Sequence, residues 1–286
     1  MTRLRQRMIE DMQVRNLAQN TQTSYLLQVS AFARHFGKSP EALGFDHVRD
    51  YQLHLVREKK LAPNSVTVAV SALRFLYKCT LHKDWDFDQV LPSPQKPKSL
   101  PVVLSPEEVE AFLASVEHRR DRTILTVCYA AGLRISEAVH LKVSDIDSAR
   151  MVIRVDQGKG ARDRYVMLSP KLLELLRDWY RHCRPTDWLF PGRPGHPINV
   201  HTVQMACVRA RQKCGCSKLV SPHSLRHAFA VHLLESGTDV RTIQLLLGHR
   251  GLATTAQYLR IASSKVCAVT SPLDRLPSFD VSRTAR

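Results

Sequence analysis

Long apolar runs are missing from this chain. Its 286 residues contain no uninterrupted apolar stretch of about 18 residues, the length that a membrane-spanning helix requires. The opening segment Met1–Arg7 is rich in arginine, and no apolar segment follows it, so a secretory signal is not expected. We therefore predict no membrane partner and a cytoplasmic location.

The number and the positions of the cysteines do not indicate a disulfide framework. There are seven, an odd number, and they are scattered through segments with helical patterns, which indicates reduced thiols in a cytosol-like compartment. Cys214 and Cys216 lie closest together, but no second pair of ligands follows at a spacing that zinc would need. No metal site and no cofactor are predicted.

Acidic residues are scarce. The chain has 26 Asp and Glu against 42 Lys and Arg, which gives a formal net charge of +16. Basic residues exceed acidic ones on both sides of a proline-rich segment at 91–101, so the charge is not carried by a single tail. A positive field of this size attracts polyanions and gains affinity by releasing counterions from phosphates. Nucleic acid is the predicted partner, and charge alone also fits a ribosomal or membrane-surface protein.

The proline-rich segment divides the chain. Residues 1–90 have only helical periodicity and are predicted to form a compact unit of four helices, a helical DNA-binding domain. Four prolines between Leu91 and Pro101 cannot sustain a helix, so residues 91–103 are predicted to form an extended linker. The remaining segment, 104–286, is predicted to be the catalytic domain.

The second domain combines helices with one β signal. Ser105 and Glu108 flank a proline in the pattern of a capping box, which predicts a helix start there. Two β-prone runs, at 151–155 and 164–168, flank a polar turn and predict a hairpin. Helices are predicted at about 199–213, 222–236, 239–247 and 252–262. The predicted fold class is therefore mainly α, with a small β-sheet or hairpin in the second domain.

Four short strings bring chemically capable residues into this domain. They are Gly132-Leu-Arg134-Ile-Ser-Glu137, Gln157-Gly-Lys159-Gly, His223-Ser-Leu-Arg226-His227, and Leu247-Gly-His249 followed by Tyr258. Each has an ordinary reading by itself. An arginine after a helix is usually solvated, a lysine between glycines is usually an exposed turn residue, and a tyrosine at helical spacing is usually core.

Taken together, the strings have the chemistry of phosphodiester exchange. Attack on a DNA phosphate builds negative charge, and two guanidinium groups can fork onto the non-bridging oxygens. A tyrosine can act as the nucleophile and conserve the bond energy in a phosphotyrosine. Its phenol has a pKa near 10 and needs a base, for which histidine is suited. A lysine on a turn could protonate the departing oxygen, and no metal is needed for the charge.

The order Arg, turn Lys, His-x-x-Arg, Leu-Gly-His and Tyr resembles the tyrosine recombinase (phage integrase) family. The strings around Arg134, His249 and Tyr258 look similar to the bacterial chromosome-resolution and integron branches, and the resemblance covers nearly all of 104–262. The helices at 14–80 resemble that family's core-binding domain. The implied fold is a two-domain clamp, a helical core-binding domain and an α+β catalytic domain, on double-stranded DNA.

The resemblance also implies residue roles. Arg134 and Arg226 would hold the scissile phosphate, and Tyr258 would be the nucleophile. Lys159 would be the general acid, His223 the general base or proton shuttle, and His249 a hydrogen-bond donor to the phosphate. Glu137 is interpreted as orienting Arg134, and His227 as structural and pointing off the phosphate-facing side. Members of the family work as tetramers on two DNA sites, through a 3′-phosphotyrosine and a Holliday junction, some with a second recombinase.

Departures from the family pattern favour one branch. No extra small domain precedes the core-binding helices, which disfavours an arm-type integrase, and no inserted helix is evident, which disfavours the integron branch. A transposon-borne recombinase fits best. The alternatives are a type IB topoisomerase, which uses a similar residue set, a DNA-binding protein with an inactive site, and a basic structural protein. The last two do not account for six filled positions in order.

Overall fold

The computed structural model describes residues 2–90, 102–158, 162–249 and 251–261. It divides into two compact units, Met1–Ser99 and Leu100–Arg286. The predicted linker falls mostly on residues 91–101, which lie outside the described residues. The proposed domain limits of 90 and 104 therefore stay a prediction.

The first unit is helical throughout its described part. Its α-helices are α1 (Arg3–Val14), α2 (Gln19–Phe36), α3 (Phe45–Arg57), α4 (Pro63–Phe75) and α5 (Phe87–Val90), with a 3-10 turn at Pro40–Ala42 and a π-helical turn at Leu76–Thr80. Four of these helices are long, as the periodicity predicts. Gly37 ends α2 in the left-handed conformation, at φ 63°, which glycine adopts without a steric penalty.

Aromatic packing holds this unit together. The ring of Phe32 lies edge-on to Tyr51 at 5.1 Å and to Tyr77 at 6.3 Å between centroids. Tyr77 is fully buried, and its hydroxyl donates to the backbone oxygens of Pro40 at 3.0 Å and Leu43 at 3.1 Å. These bonds satisfy the phenol and join the segment between α2 and α3 to the π-helical turn that follows α4.

The second unit combines eight α-helices with a small sheet in its described part. The helices are α6 (Pro106–Ala114), α7 (Arg119–Ala130), α8 (Ile135–Val139), α9 (Pro170–Cys183), α10 (Val200–Lys213), α11 (Pro222–Glu235), α12 (Val240–Leu247) and α13 (Leu252–Ala256), with 3-10 turns at Val143–Asp145 and Gln257–Arg260. Helix α6 begins with the predicted capping box, since the Ser105 hydroxyl accepts from the Glu108 amide and Glu108 accepts from the Ser105 amide.

The sheet has three antiparallel strands in the order β1 (Ile146–Asp147), β2 (Val152–Gly158) and β3 (Arg162–Met167). The hairpin β2–β3 is the predicted one, whereas the two-residue β1 was not predicted. In β3, Val166 is buried and Tyr165 is exposed, so the strand buries alternate residues. Arg164 is two residues from Val166, so its side chain lies on the same, buried face of the strand.

Helix α7 lies at the centre of the second unit. It packs against α8, α9, α10 and α11, and its residues Ile124, Leu125, Val127 and Cys128 are fully buried. Helix α11 contributes Leu225 and Ala228 to the same core, and both side chains are fully buried. The mainly α architecture with a small antiparallel sheet is the predicted fold class.

Candidate active site

A tight turn after α7 presents the first arginine. Gly132 has φ 63°, and a Cβ at this position would lie 2.4 Å from Cε1 of Phe229, so a glycine is required on both counts. The turn places Arg134 at the N-cap of α8, where the backbone N–H of Arg134 donates to Glu137 at 2.8 Å. The guanidinium of Arg134 reaches the same carboxylate, at 2.7 Å between Nη1 and Oε1.

Glu137 is shared by three arginines. Arg164 on β3 donates to both of its oxygens, at 3.0 Å and 2.8 Å, and Nη1 of Arg226 lies 3.6 Å from Oε2. Burial by itself would raise the pKa of Glu137, but the hydrogen bond and charge of Arg164, followed by Arg134, outweigh burial and lower this pKa to about 2. The carboxylate is therefore ionised, and one negative charge faces three positive ones.

Arg226 is the most deeply placed of these arginines, with 1% of its surface exposed. Its guanidinium donates to the backbone oxygens of Gly132 at 2.6 Å and Leu247 at 2.5 Å. Within the described part of the chain, its buried Nε has no hydrogen-bond partner. Burial and then the charge of Arg134 lower the pKa of Arg226 to about 10, which leaves it cationic at neutral pH.

The C-terminal end of α12 brings His249 to the same place. The helix ends at Gly248, with φ 61°, and a Cβ there would lie 3.0 Å from Cδ of Arg164. Nδ1 of His249 is 2.9 Å from the hydroxyl of Thr255. Burial, followed by the charges of Arg226 and Arg134, lowers the pKa of His249 to about 4, so its ring is neutral at pH 7.

Tyr258 lies in a 3-10 turn and is 2% exposed. The prediction of one helix over 252–262 is wrong at its C-terminal end, because α13 ends at Ala256 and a 3-10 turn at Gln257–Arg260 contains the tyrosine. The tyrosine hydroxyl is 2.8 Å from Nδ1 of His227. Burial raises the pKa of Tyr258, whereas Arg226, the side chain of Gln257 and Arg134 oppose that rise.

Five of the six predicted site residues can be placed in the structure. Arg134, His223, Arg226, His249 and Tyr258 all lie around the end of α7, the first turns of α11 and the segment after α12. Burial, then the charges of Arg226 and Arg134, lower the pKa of His223. Lys159 lies outside the described residues. The predicted contact between Glu137 and Arg134 is present.

Two residues at this site were not predicted to belong to it. Arg164 binds Glu137 and also donates from Nε to the backbone oxygen of Leu246 at 2.9 Å. The sequence held a signal for Arg164, because a charged side chain on the buried face of a strand needs a partner. His227 was interpreted as structural, and its contact with Tyr258 was not anticipated. Its spacing of four from His223 places both on one face of α11.

No group of three or more His, Cys, Asp or Glu side chains in the described ranges is arranged to hold a metal ion. The cysteines that the structure describes, including Cys214 and Cys216, are free thiols. Across those same ranges, no helix is long and apolar enough to cross a bilayer.

Comparison with known proteins identifies relatives that cover almost the whole chain. The phage integrase family model matches residues 102–265, and a phage integrase N-terminal SAM-like domain model matches residues 4–87. A putative integrase/recombinase of Sinorhizobium fredii is 65% identical over 97% of this chain and 90% of its own length. The tyrosine recombinase XerD of Pseudomonas aeruginosa is 35% identical over 88% of this chain and 90% of its own length.

Solved structures share the fold. The XerH site-specific recombinase, in a post-cleavage complex with its palindromic difH substrate, matches 90% of this chain and 80% of its own, with a TM-score of 0.70 and 23% identity. A lambda integrase dimer bound to a core site matches 88% of this chain and 95% of its own, with a TM-score of 0.72 and 19% identity.

The chain belongs to the phage integrase family. It is a tyrosine-type site-specific DNA recombinase. The alternative of a type IB topoisomerase is not favoured, because the relatives and structural neighbours are recombinases and integrases.

Proposed function

We propose that this recombinase binds double-stranded DNA at a specific site and cleaves one strand by attack of Tyr258 on a phosphodiester. The 3′-phosphotyrosine so formed is then resolved by a 5′-hydroxyl from another strand. The observation that carries the proposal is the charge balance at Glu137. Three guanidiniums share one buried carboxylate, which leaves an excess of positive charge beside the tyrosine. Such a centre suits an anionic phosphate.

Each arginine has a different part in this proposal. Arg134 has a partly exposed side chain and grips the non-bridging oxygens of the scissile phosphate. Arg226 is held in place by two backbone carbonyls. Its buried Nε, which has no partner among the described residues, and the remaining N–H groups of its guanidinium are proposed to donate to the phosphate. Arg164 stays on Glu137 and keeps that carboxylate from competing with the phosphate for the other two. Removing one such donor from a transition state costs about 100- to 1000-fold in rate.

The remaining residues handle protons. His249 donates to the phosphate from Nε2, because its Nδ1 is occupied by Thr255. His223 serves as general base or proton shuttle beside the two arginines. Lys159, carried on the turn of the β2–β3 hairpin, is proposed to protonate the 5′-oxygen as it leaves. Cationic side chains supply the charge stabilisation, so the reaction is proposed to need no metal.

The wider reaction follows the family. We expect four protomers to assemble on two DNA sites and exchange strands in pairs through a Holliday junction, and a second recombinase is a candidate partner. The XerH and lambda integrase structures are complexes with their DNA sites, which supports DNA as the ligand. The helical unit at 1–90 is proposed to bind DNA together with the catalytic domain. A transposon-borne element in the bacterial cytoplasm is the proposed setting.

A suicide substrate tests this proposal. Nicked duplexes, selected by the protein from a randomised pool, are incubated with the full chain in EDTA and resolved on a denaturing gel. The wild type is expected to form a protein–DNA adduct, and Tyr258→Phe to bind the same duplexes without forming it. Tyr129→Phe is the matched control, because the hydroxyl of Tyr129 also contacts a histidine, His232, and Tyr129 is not a predicted site residue. Binding without any wild-type adduct would refute the proposal.

The leaving-group role of Lys159 has its own test. Lys159→Ala is expected to cleave poorly on normal DNA and to recover on a substrate whose bridging 5′-oxygen is replaced by sulfur. A thiol has a pKa near 8.5 and departs without a donated proton. Failure of the sulfur substrate to restore cleavage would assign the proton to another group.

A further inference from the structure

Helix α11 carries two histidines on the face that meets Tyr258. His223 and His227 are four residues apart, and their rings meet edge to face with centroids 4.4 Å apart. His223 lies among the charges of Arg226 and Arg134. His227 lies farther along the helix, and its Nδ1 is 2.8 Å from the Tyr258 hydroxyl, with the two ring centroids 5.5 Å apart. The contact to the reacting atom is therefore made by His227.

Bulk water is a poor proton acceptor at this position. Tyr258 is 2% exposed, and burial raises its pKa. A phenol has a pKa near 10 even in water, so its oxygen becomes a strong nucleophile only if a neighbouring group takes the proton during the attack. The acceptor must lie within hydrogen-bond distance of the phenol oxygen, and the imidazole nitrogen of His227 does.

We propose that Nδ1 of His227 accepts the phenolic proton of Tyr258 as the tyrosine attacks the DNA phosphate. The inference rests on the proposed function and deepens it, because it assigns the base of that reaction to His227 and leaves His223 the role of proton shuttle. In cleavage, the bond from Tyr258 Oη to phosphorus forms and the phenolic proton moves to His227. The bond from phosphorus to the 5′-oxygen breaks, and that oxygen takes the proton that Lys159 is proposed to donate. In religation the 5′-hydroxyl attacks and returns its proton to Lys159, and the phenolate leaves and takes its proton back from His227. No further reactant is required.

The electrostatics of the pair are consistent with this role. Burial, then His223 and Arg226, lower the pKa of His227 to about 4, so the ring is neutral and has a free lone pair at pH 7. A DNA phosphate bound beside Arg226 would offset the positive charge that contributes to this lowering. The basicity of His227 would then rise when substrate binds, which brings it toward the value that suits a base.

The same helix contributes His232 to a second histidine–tyrosine contact, with Tyr129 on α7, which serves for comparison. Nδ1 of His232 lies 3.0 Å from the hydroxyl of Tyr129, and Nε2 of His232 lies 3.0 Å from the backbone oxygen of Leu104. This pair has nearly the same contact distance as His227 and Tyr258, 3.0 Å against 2.8 Å, and neither of its residues is a predicted site residue. A substitution of His232 therefore reports the structural cost of losing a histidine–tyrosine hydrogen bond on α11.

The test measures the rate of adduct formation from pH ~6 to ~10, the range that brackets histidine and phenol titration. The variants are His227→Asn, whose amide keeps a hydrogen-bonding group near the Nδ1 position but takes up no proton, and His232→Asn. At neutral pH, His227→Asn is expected to lose about 100-fold or more in rate, the usual contribution of a general base. Its rate should keep rising toward alkaline pH, where hydroxide replaces the base. His232→Asn should follow the wild-type profile.

Bridging-sulfur DNA separates the two proton transfers. Because the defect of His227→Asn is on the nucleophile, sulfur in place of the 5′-oxygen should leave it uncorrected, in contrast to Lys159→Ala. Recovery on the sulfur substrate would overturn the proposal, since the histidine would then act on the leaving group. A pH-independent loss, or a rate equal to that of the wild type, would also overturn it.

A DNA-free readout separates this inference from the proposed function. 3-Fluorotyrosine placed at position 258 of the full chain gives one ¹⁹F signal whose titration reports the phenol. His227→Asn should change that signal and its titration, and His232→Asn should not. An unchanged signal in His227→Asn would overturn the pairing. A changed signal with no adduct from the wild type on any duplex would show that the pair exists but that the proposed function, and the base role with it, is wrong.

Discussion

Two tyrosines, one in each unit, are almost completely buried and yet held in opposite ways. The hydroxyl of Tyr77 donates to two backbone carbonyls, which accept hydrogen bonds but never a proton at accessible pH. The hydroxyl of Tyr258 meets the imidazole of His227, and guanidiniums lie near it. Burial raises the pKa of both phenols, but at Tyr258 the charges of Arg226 and Arg134 oppose that rise.

The comparison shows what distinguishes a structural tyrosine from a reactive one. Burial alone does not, since Tyr77 is 0% and Tyr258 2% exposed. The difference lies in the partners. Carbonyl oxygens stabilise the neutral phenol, whereas a neutral histidine and nearby cations stabilise the state in which the proton has left. Four predictions test this difference.

Exchanging either tyrosine for phenylalanine should separate activity from stability. Tyr258→Phe is expected to abolish adduct formation, because the nucleophilic oxygen is gone. Tyr77→Phe should leave adduct formation intact and cost about 1–3 kcal/mol, since two buried carbonyls lose their donor. Denaturing gels measure the first effect and urea unfolding the second. An adduct formed by Tyr258→Phe would identify a different nucleophile.

Removing the carboxylate that the three arginines share should disrupt the site around Tyr258. Glu137→Gln leaves Arg226 and Arg164 without their counter-charge, and breaking a buried ion pair in this way costs about 3–5 kcal/mol. Hydrogen exchange on the full chain should show lost protection in peptides from α7 and α11, with the π-helical turn that contains Tyr77 unaffected. Glu117→Gln is the matched control, because the ion pair of Glu117 with Lys213 is exposed. Equal protection in both variants would contradict the role of Glu137.

Two glycines with the same backbone conformation offer a graded test of the two units. Gly37 and Gly132 both have φ 63°, but a Cβ at Gly37 meets open space and one at Gly132 meets Phe229 at 2.4 Å. Gly37→Ala should cost about 1–2 kcal/mol from the left-handed backbone alone. Gly132→Ala should add about 1–3 kcal/mol of overpacking and displace Arg134. Urea unfolding and the adduct assay measure the two effects, and equal costs would contradict the predicted contact with Phe229.

Mild acid should destabilise the site around Tyr258. The pKa values of His227 and His249 are about 4 in the folded chain, against 6.5 for an unperturbed histidine. Between these values the unfolded chain binds protons that the folded chain excludes, so stability is fully present above pH 6.5 and falls as pH drops toward 4. Urea unfolding of the wild type should show this loss, and His249→Asn should show less of it. An identical pH dependence would contradict the lowered pKa of His249.

Much of the fold was predictable because local patterns carry it. The capping box at Ser105 and Glu108 and the β2–β3 hairpin each depend on residues that lie close together in the chain. Strand β1 was missed because two residues carry no periodicity, and its pairing with β2 depends on a tertiary contact. The early end of α13 was missed because Tyr258, in the 3-10 turn after the helix, contacts His227 of α11, and this tertiary contact leaves no local pattern in the sequence.

The candidate site was predictable in its residue types but not in its contacts. Order and spacing are properties of the chain, so two arginines, two histidines and a tyrosine could be read in an order typical of one family. The folded chain was needed to show that Arg164 shares Glu137 and that His227, rather than His223, contacts the phenol of Tyr258. Such contacts join residues 27 and 31 positions apart, and the packing of β3, α8, α11 and the 3-10 turn sets their distances.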